Sequence, residues 1–485
     1  TLSKFIYLSY LFLNFTFILF TRSRSALLAV VFGILLFLIS YLFLIKKDFK
    51  KIFLILTFIV VVPILLFKTG IGKVDDFVNL NRLKLLITKT KKNDQTQVKN
   101  NFKDSNNNLN ITDSADIRKI VWQGAIKLGL KYPLFGTGVE TFAYSYYFVR
   151  PLAHNYTSEW DFVYNKAHNE FLNYLATTGF FGLGAYILLI ISFYYLLSKQ
   201  ILIIKNTNKK HFDSHQLIFL LILAIAYLTI LITNFFGFST TTINIFFFLF
   251  PAALIVSFKK DKFKETKTLK ITYDQYLAMI IITVFLFYLL LSLFFYRQAD
   301  VNYNLANNYF KIQEYQKAYY YLQSALKLRT EPVYEDKYST ILALLAVFAH
   351  HQKQDKLANE LIILSKDYNN KTLATSPKNI FYLKTRAKNY YYYYQISSSK
   401  DDLLDGIQTL KITQKLAPTD PKIPYSLAIF YLQLASIEKD IKQKKVWQNL
   451  AVDSINQSLE LKNDYQDALA LKKEIEKNNI NSKSE

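Results

Sequence analysis

Cysteine is absent from all 485 residues, which excludes disulfides, thiolate metal sites and cysteine nucleophiles while leaving the redox compartment open. Histidine is scarce at six residues, few enough to weigh singly. His211 and His215 fall between apolar runs, and His350 and His351 fall in a polar C-terminal region; neither pair has the carboxylate or thiolate company a metal needs. No metal or cofactor is therefore expected. No charged leader or small-residue cleavage site precedes the first apolar run, so that run does not read as a signal peptide. With Thr1 in first place, the chain is expected to be truncated at its N-terminus.

Apolar residues and lysines are both abundant, and an ordinary soluble domain does not carry both at these levels, so they must be segregated. Apolar runs rich in Phe, Leu and Ile recur up to about Tyr296, and beyond it Lys, Gln, Asn, Tyr and Ala take over at helical spacing. Much of the net charge of +23 lies in short loops between the apolar runs. That distribution is a topology signal and not a nucleic-acid-binding patch.

A helix crosses the hydrocarbon core with about 20 apolar residues. The candidate spans are 5–20, 25–45, 52–67, 171–198, 216–234, 243–258 and 275–296. The lysine-rich loops "KKDFKK" (46–51), "KNTNKKHFDSH" (205–215) and "KKDKFKETKTLK" (259–270) read as cytoplasmic, since positive residues near span ends are retained on that side. Even numbers of crossings separate them, so the three assignments agree. The chain then places "TRSR", residues 68–170, the turn "FFGFSTT" and everything after Tyr296 outside.

Arg22 and Arg24 thus stand at the outer end of a span, against the usual bias. Two readings are open: the guanidinium groups snorkel to lipid phosphates, or they hold a membrane-borne phosphate or pyrophosphate, for which a planar permanent cation suits better than lysine.

In the outer segment, residues 88–113 are polar and low in complexity, and read as an insertion. "SADIRKIVWQGAIKLGLKYP" follows, with Ser114 or Asp116 as a candidate N-cap and Ile117, Ile120, Val121, Ala125, Ile126 and Leu128 on one face. It predicts an amphipathic helix ending before Pro133, with Arg118 in its first turn. "PLFGTGVETF" supplies a turn through Gly136 and Gly138, either a plain turn or a place where backbone approaches a ligand. Two His-Asn pairs come next, His154-Asn155 and His168-Asn169. His168 sits at the outer mouth of the following span, where an imidazole could take a proton from a hydroxyl presented at the bilayer surface; a purely capping histidine is the plainer alternative.

Together, "TRSRSALLAVVFGILL", "RKIVWQGAIKLGLKYPLFGTGVETF" and "AHNEFLNYLATTGFFGLGAYILLI" resemble the O-antigen ligase and O-antigen polymerase family over roughly residues 5–260. The resemblance implies an all-α, polytopic, GT-C-like transmembrane bundle in the cytoplasmic (inner) membrane. It implies a metal-independent glycosyltransferase of polysaccharide or cell-wall biosynthesis, taking its glycan from undecaprenyl pyrophosphate on the outer face. It also implies that Arg24 and Arg118 hold the donor pyrophosphate and that His168 activates the acceptor hydroxyl. Ser25 stands where the family usually has glycine, and Arg22 adds a second cation, so either arginine could make the principal contact. His154, Glu159, Trp160 and Asp161 are second-tier substrate-binding candidates, since carboxylates and an indole can bind hydroxyls and stack on a pyranose; packing of the loop on its neighbours is the alternative. The acceptor class, whether glycan, lipid or protein, is open.

After Tyr296, small and large residues recur near a 34-residue period. Leu305, Ala306, Tyr309, Ala318, Leu322 and Ala325 are echoed by Leu345, Ala346, Ala358 and Ile362, by Gly406, Leu410 and Pro418, and by Leu427, Ala428, Tyr431, Ala451 and Ile455. The pattern resembles about four degenerate tetratricopeptide units, an α-solenoid over 297–485 that follows a membrane domain over 1–296. The tyrosine run 390–394 belongs to one of its helices, and its aromatics could contact a sugar or a peptide. No catalytic set appears in this half, which reads as a binding or scaffolding module with a possible protein partner.

Two other function classes fit parts of the pattern. A polysaccharide transporter or flippase would place polar groups near the membrane midplane, whereas these spans carry few interior charges. A membrane-anchored scaffold without catalysis leaves the outward arginines and the His168 region without a role.

Overall fold

A computed structural model describes residues 2–44, 49–69, 75, 112–207, 214–257 and 272–481. Most of the insertion read at 88–113 and most of the three lysine-rich loops lie outside the described residues. The described residues are helical with no strand among them, as an all-α chain requires. They form two compact units: the described residues within 1–111, 129–139 and 166–266 in one, and those within 112–128, 140–165 and 267–485 in the other. These units are set by packing and are discontinuous in sequence, whereas the division at 296/297 follows chain order.

The first unit is built from apolar helices, Leu2–Phe20, Arg24–Leu44, Phe49–Phe67, Glu170–Thr207, Ser214–Phe235 and Thr241–Ser257. They are hydrophobic all round, with large side chains such as Phe5, Phe43, Leu54 and Phe58 exposed, which suits helices whose solvent is lipid. Only helices and closed barrels satisfy every backbone group without water, so this composition selects helix. Six helices of the described chain are long and apolar enough to cross a membrane, and Thr241–Val256 is a shorter apolar helix. Each of the seven expected spans coincides with one of these helices. The protein is a multi-pass membrane protein. Helix contacts are close where residues are small: a Cβ at Gly33 would come within 3.0 Å of Thr229 on Ser214–Phe235.

The last apolar helix behaves differently. Tyr273–Lys311 runs 39 residues without a break, so the apolar stretch 275–296 and the polar stretch that follows it are one rod of about 58 Å. Composition changes at Arg297, but no Gly or Pro interrupts the helix there. Thr272 caps its start, accepting the Gln275 amide in a capping box.

From this rod the second unit continues as antiparallel helix pairs: Tyr273–Lys311 with Tyr315–Leu328, Pro332–His351 with Asp355–Thr375, Ile380–Ser397 with Lys400–Leu416, and Lys422–Ile437 with Ile441–Leu461, before a last helix Gln466–Asn481. Ala306, Ala318, Leu322, Ala346, Ala358, Leu427, Ala428 and Ala451 are buried. A Cβ on Gly406 would meet the Phe430 ring at 2.2 Å, so Lys400–Leu416 approaches Lys422–Ile437 of the next pair closely at a glycine.

Candidate functional site

In the first unit, His168 stands immediately ahead of the helix Glu170–Thr207. Asn169 caps that helix: its Oδ1 accepts the Leu172 amide (3.0 Å) and its carbonyl accepts the Asn173 amide (2.8 Å). Glu170, buried in the first turn, adds the negative charge that a helix N-terminus favours. His168 itself takes a left-handed backbone conformation (φ 52°), which histidine tolerates better than most residues. Its ring lies edge-on to Phe238 (5.3 Å, 70°), a residue of the turn between Ser214–Phe235 and Thr241–Ser257. Beside it, buried Asn234 donates to the Tyr186 hydroxyl (3.3 Å) and accepts from Ser239 (2.9 Å). The imidazole is therefore carried on a capped helix start and braced by the neighbouring turn, half-exposed at one end of the bundle.

The glycine turn reading at 133–138 is resolved by backbone contact. Gly179 (φ 66°) breaks the helix Glu170–Thr207 and frees carbonyls that the turn then caps: Thr137 N–H donates to Ala176 O (3.1 Å) and Gly138 N–H to Thr177 O (2.9 Å). In return Phe180 N–H donates to Pro133 O (2.7 Å). A Cβ on Gly136 would lie 2.3 Å from the Thr177 carbonyl carbon, and one on Gly179 would lie 2.4 Å from that of Leu134. Both glycines also sit at positive φ, where a side chain is strained. They serve the protein's own backbone and lock the turn to the helix that His168 precedes.

Ser23 caps Arg24–Leu44, its Oγ accepting the Ala26 amide (3.3 Å). Arg24 is thus the first helical residue and is exposed, and Arg22 precedes it, exposed and left-handed (φ 51°). Two cations stand here at the positive end of a helix dipole, an end that favours negatively charged groups.

Arg118 belongs to the second unit, half-buried on the helix Ser114–Lys131. That helix starts after Asp113, whose carboxylate accepts the Ala115 amide (3.0 Å), so Asp113 takes the capping place expected of Ser114 or Asp116. Ile117, Val121, Ala125 and Leu128 are buried as the spacing requires, whereas Ile126 is exposed. Gly124 is needed where Tyr146 packs, since a Cβ there would be 2.4 Å from its ring. Arg118 lies close enough to Tyr164 to favour its ionised form electrostatically, though burial, first of all, and a hydrogen bond to Glu159 push that phenol up.

His154 is buried to 1 % exposure, its Nδ1 3.1 Å from the Tyr146 hydroxyl and its ring edge-on to Tyr164. Burial, with the Arg150 charge second, holds its pKa down to about 4, so it is neutral at neutral pH. Glu159 accepts from Tyr164, Asp161 pairs with Lys422 (2.6 Å), and Trp160 packs on Tyr465 (5.6 Å) beneath the Lys422 and Lys462 ammonium groups. Each of these four second-tier candidates thus makes contacts within the protein. The stretch is anchored by two residues that sequence reasoning passed over. Arg150 donates to Thr419 O (3.2 Å) and to Asn155 Oδ1, while Asn155 Nδ2 donates to Thr419 O (2.8 Å) and Leu461 O (3.0 Å). Lys462 Nζ closes the set on Asn155 O (2.9 Å). No residue type or spacing marks these contacts in the sequence; Asn155 differs from Asn169 only in where the fold puts it.

The depressed His154 pKa has a signed consequence. A buried neutral imidazole contributes stability that is present above the unfolded value near 6.5 and lost as pH falls from there through about 4. Acidification across that window is expected to remove about 3 kcal/mol. Unfolding of the protein in detergent, followed from pH 7 to pH 4, should show a shallower loss in His154→Gln than in the native chain.

Among the described residues no cluster of His, Cys, Asp or Glu could hold a metal ion. Residues 9–187 match the family model of the O-antigen ligases, Wzy_C. That stretch contains Arg22, Arg24, Arg118 and His168, and ends before the helix pairs. No curated protein and no solved structure matches the chain.

Proposed function

We propose that the protein is a membrane glycosyltransferase that moves a glycan from an undecaprenyl-pyrophosphate carrier to a hydroxyl acceptor at the outer face of the cytoplasmic membrane, without a metal. The observation that carries this reading is the coincidence of the O-antigen ligase match with a histidine held at the mouth of a membrane helix. The lysine-rich loops lie on the cytoplasmic side, which puts His168, Arg22, Arg24, Arg118 and the helix pairs outside.

In the reaction, His168 accepts the proton of the acceptor hydroxyl as its oxygen forms a bond to the anomeric carbon of the donor sugar. The bond from that carbon to the pyrophosphate oxygen breaks, and the electron pair leaves with the lipid pyrophosphate. Arg24, with Arg22 beside it, and Arg118 carry the charge on the leaving group, a task for permanently charged guanidinium groups that can bind phosphate oxygens in pairs. The helix pairs are tetratricopeptide-like and act as a binding module for a protein partner.

Replacing Arg24 tests the assignment. In membranes supplied with lipid-linked glycan, Arg24→Ala should lower transfer at least tenfold, with Arg24→Lys intermediate because a point charge replaces a bidentate donor. Equal transfer by all three proteins would remove Arg24 from the site.

A further inference from the structure

The tyrosine run 390–394 sends its side chains into different surroundings. Tyr393 is buried, its hydroxyl 2.6 Å from Ser365 Oγ. Tyr391 instead lines a cavity of ≈ 420 Å³ between the helices Ile380–Ser397 and Lys422–Ile437. Its ring meets Phe430 at 5.9 Å and 63°, and Leu410 adds to the apolar lining. Lys384, Lys388 and Lys422 stand around it.

The charges there do not balance. Lys384 is paired with buried Asp420, and Lys422 with Asp161. Exposed Lys388 lies 5.7 Å from the Tyr392 ring and, among the described residues, has no carboxylate at ion-pair distance. Lys337 is near enough to feel it: burial, with Lys388 second, pushes that ammonium down to about 8. The adjacent carboxylate, Asp336, gives little relief, because burial pushes it up to about 7. An apolar hollow with surplus positive charge at its edge accepts an apolar group carried next to an anion.

We propose that this cavity docks an acidic peptide segment of a partner protein, an apolar side chain entering the hollow lined by Tyr391, Leu410 and Phe430 and a neighbouring carboxylate pairing with Lys388. A glycan is disfavoured by the lining. Apart from the lysines and the tyrosine hydroxyl, the polar side chain it offers is Ser426, whose hydroxyl is already given to the Lys422 carbonyl (2.9 Å). Sugar hydroxyls would lose water there without replacement. The inference does not depend on the transferase reading.

The test uses the full chain in lipid nanodiscs and a fluorescein-labelled peptide in which leucine and phenylalanine are flanked by glutamates, with binding read by fluorescence anisotropy. Saturable binding is expected. It should weaken at least tenfold in Lys388→Glu, a surface change, and in Ser426→Trp, which fills the hollow, and should weaken as salt screens the pairing. A lysine-flanked peptide should not bind. Absence of binding, equal binding by the native chain and Lys388→Glu, or capture of an anionic oligosaccharide such as oligogalacturonate in place of the peptide would each overturn the proposal.

Discussion

Replacing His168 with asparagine is expected to lower glycan transfer by about 10²–10⁴-fold, the range a positioned general base contributes. Asparagine is the informative choice because the backbone there is left-handed (φ 52°), a conformation asparagine adopts readily and alanine does not. The Asn169 cap and the contact of the preceding turn with the helix do not involve the imidazole, so the helix start should survive the change. Asparagine preserves polarity and cannot take the proton, so a loss of transfer with unaltered membrane level and unaltered unfolding isolates the chemistry. Transfer at the native rate would leave the histidine a capping neighbour and end the general-base assignment.

Asn155→Ala should be the most destabilising of the substitutions considered, by roughly 2–4 kcal/mol, since one truncation removes several buried hydrogen bonds, one of them to a charged group. Asn155 is fully buried, and its side chain satisfies the Thr419 and Leu461 carbonyls while accepting from Arg150. Truncation takes the Asn155 donor from the Leu461 carbonyl, leaves the Thr419 carbonyl with Arg150, and takes a partner from a buried guanidinium whose Nε already has none among the described residues. Against a total stability of about 5–15 kcal/mol, that is enough to release residues 140–165 from the helix pairs. Limited proteolysis should then cut within that stretch, and the melting temperature should fall. Lys462→Met, which removes the donor to Asn155 O, should act in the same direction with a smaller effect, about 1–3 kcal/mol. If Asn155→Ala melts with the native chain and resists protease equally, the anchoring role is refuted.

The two His-Asn pairs show where reading the chain by itself stops. Written out, His154-Asn155 and His168-Asn169 are the same dipeptide in the same stretch of chain. One is buried under Tyr146 and Tyr164 and tied to residues far along the chain; the other starts a membrane helix. Local pattern cannot separate them, because their difference is made by partners some 264 to 307 positions away. Tyr273–Lys311 teaches the same point in reverse. A change of composition at Arg297 looks like a domain boundary, but backbone hydrogen bonds are indifferent to side-chain polarity and the helix runs on.

Unaided, the amino-acid order determined the all-helical class, the places of the apolar helices, the amphipathic face of Ser114–Lys131 and the small residues at which the helix pairs close. These follow from periodicity and from the demand that backbone groups in lipid be satisfied within a helix. Only the tertiary structure decided that residues 112–128 and 140–165 pack with the helix pairs, that Gly136 and Gly179 serve a backbone-to-backbone contact, and which partners His154, Glu159, Trp160 and Asp161 meet. The physical reason is that burial and hydrogen-bond partnership belong to pairs of groups brought together by folding, and neither partner carries a mark of the other.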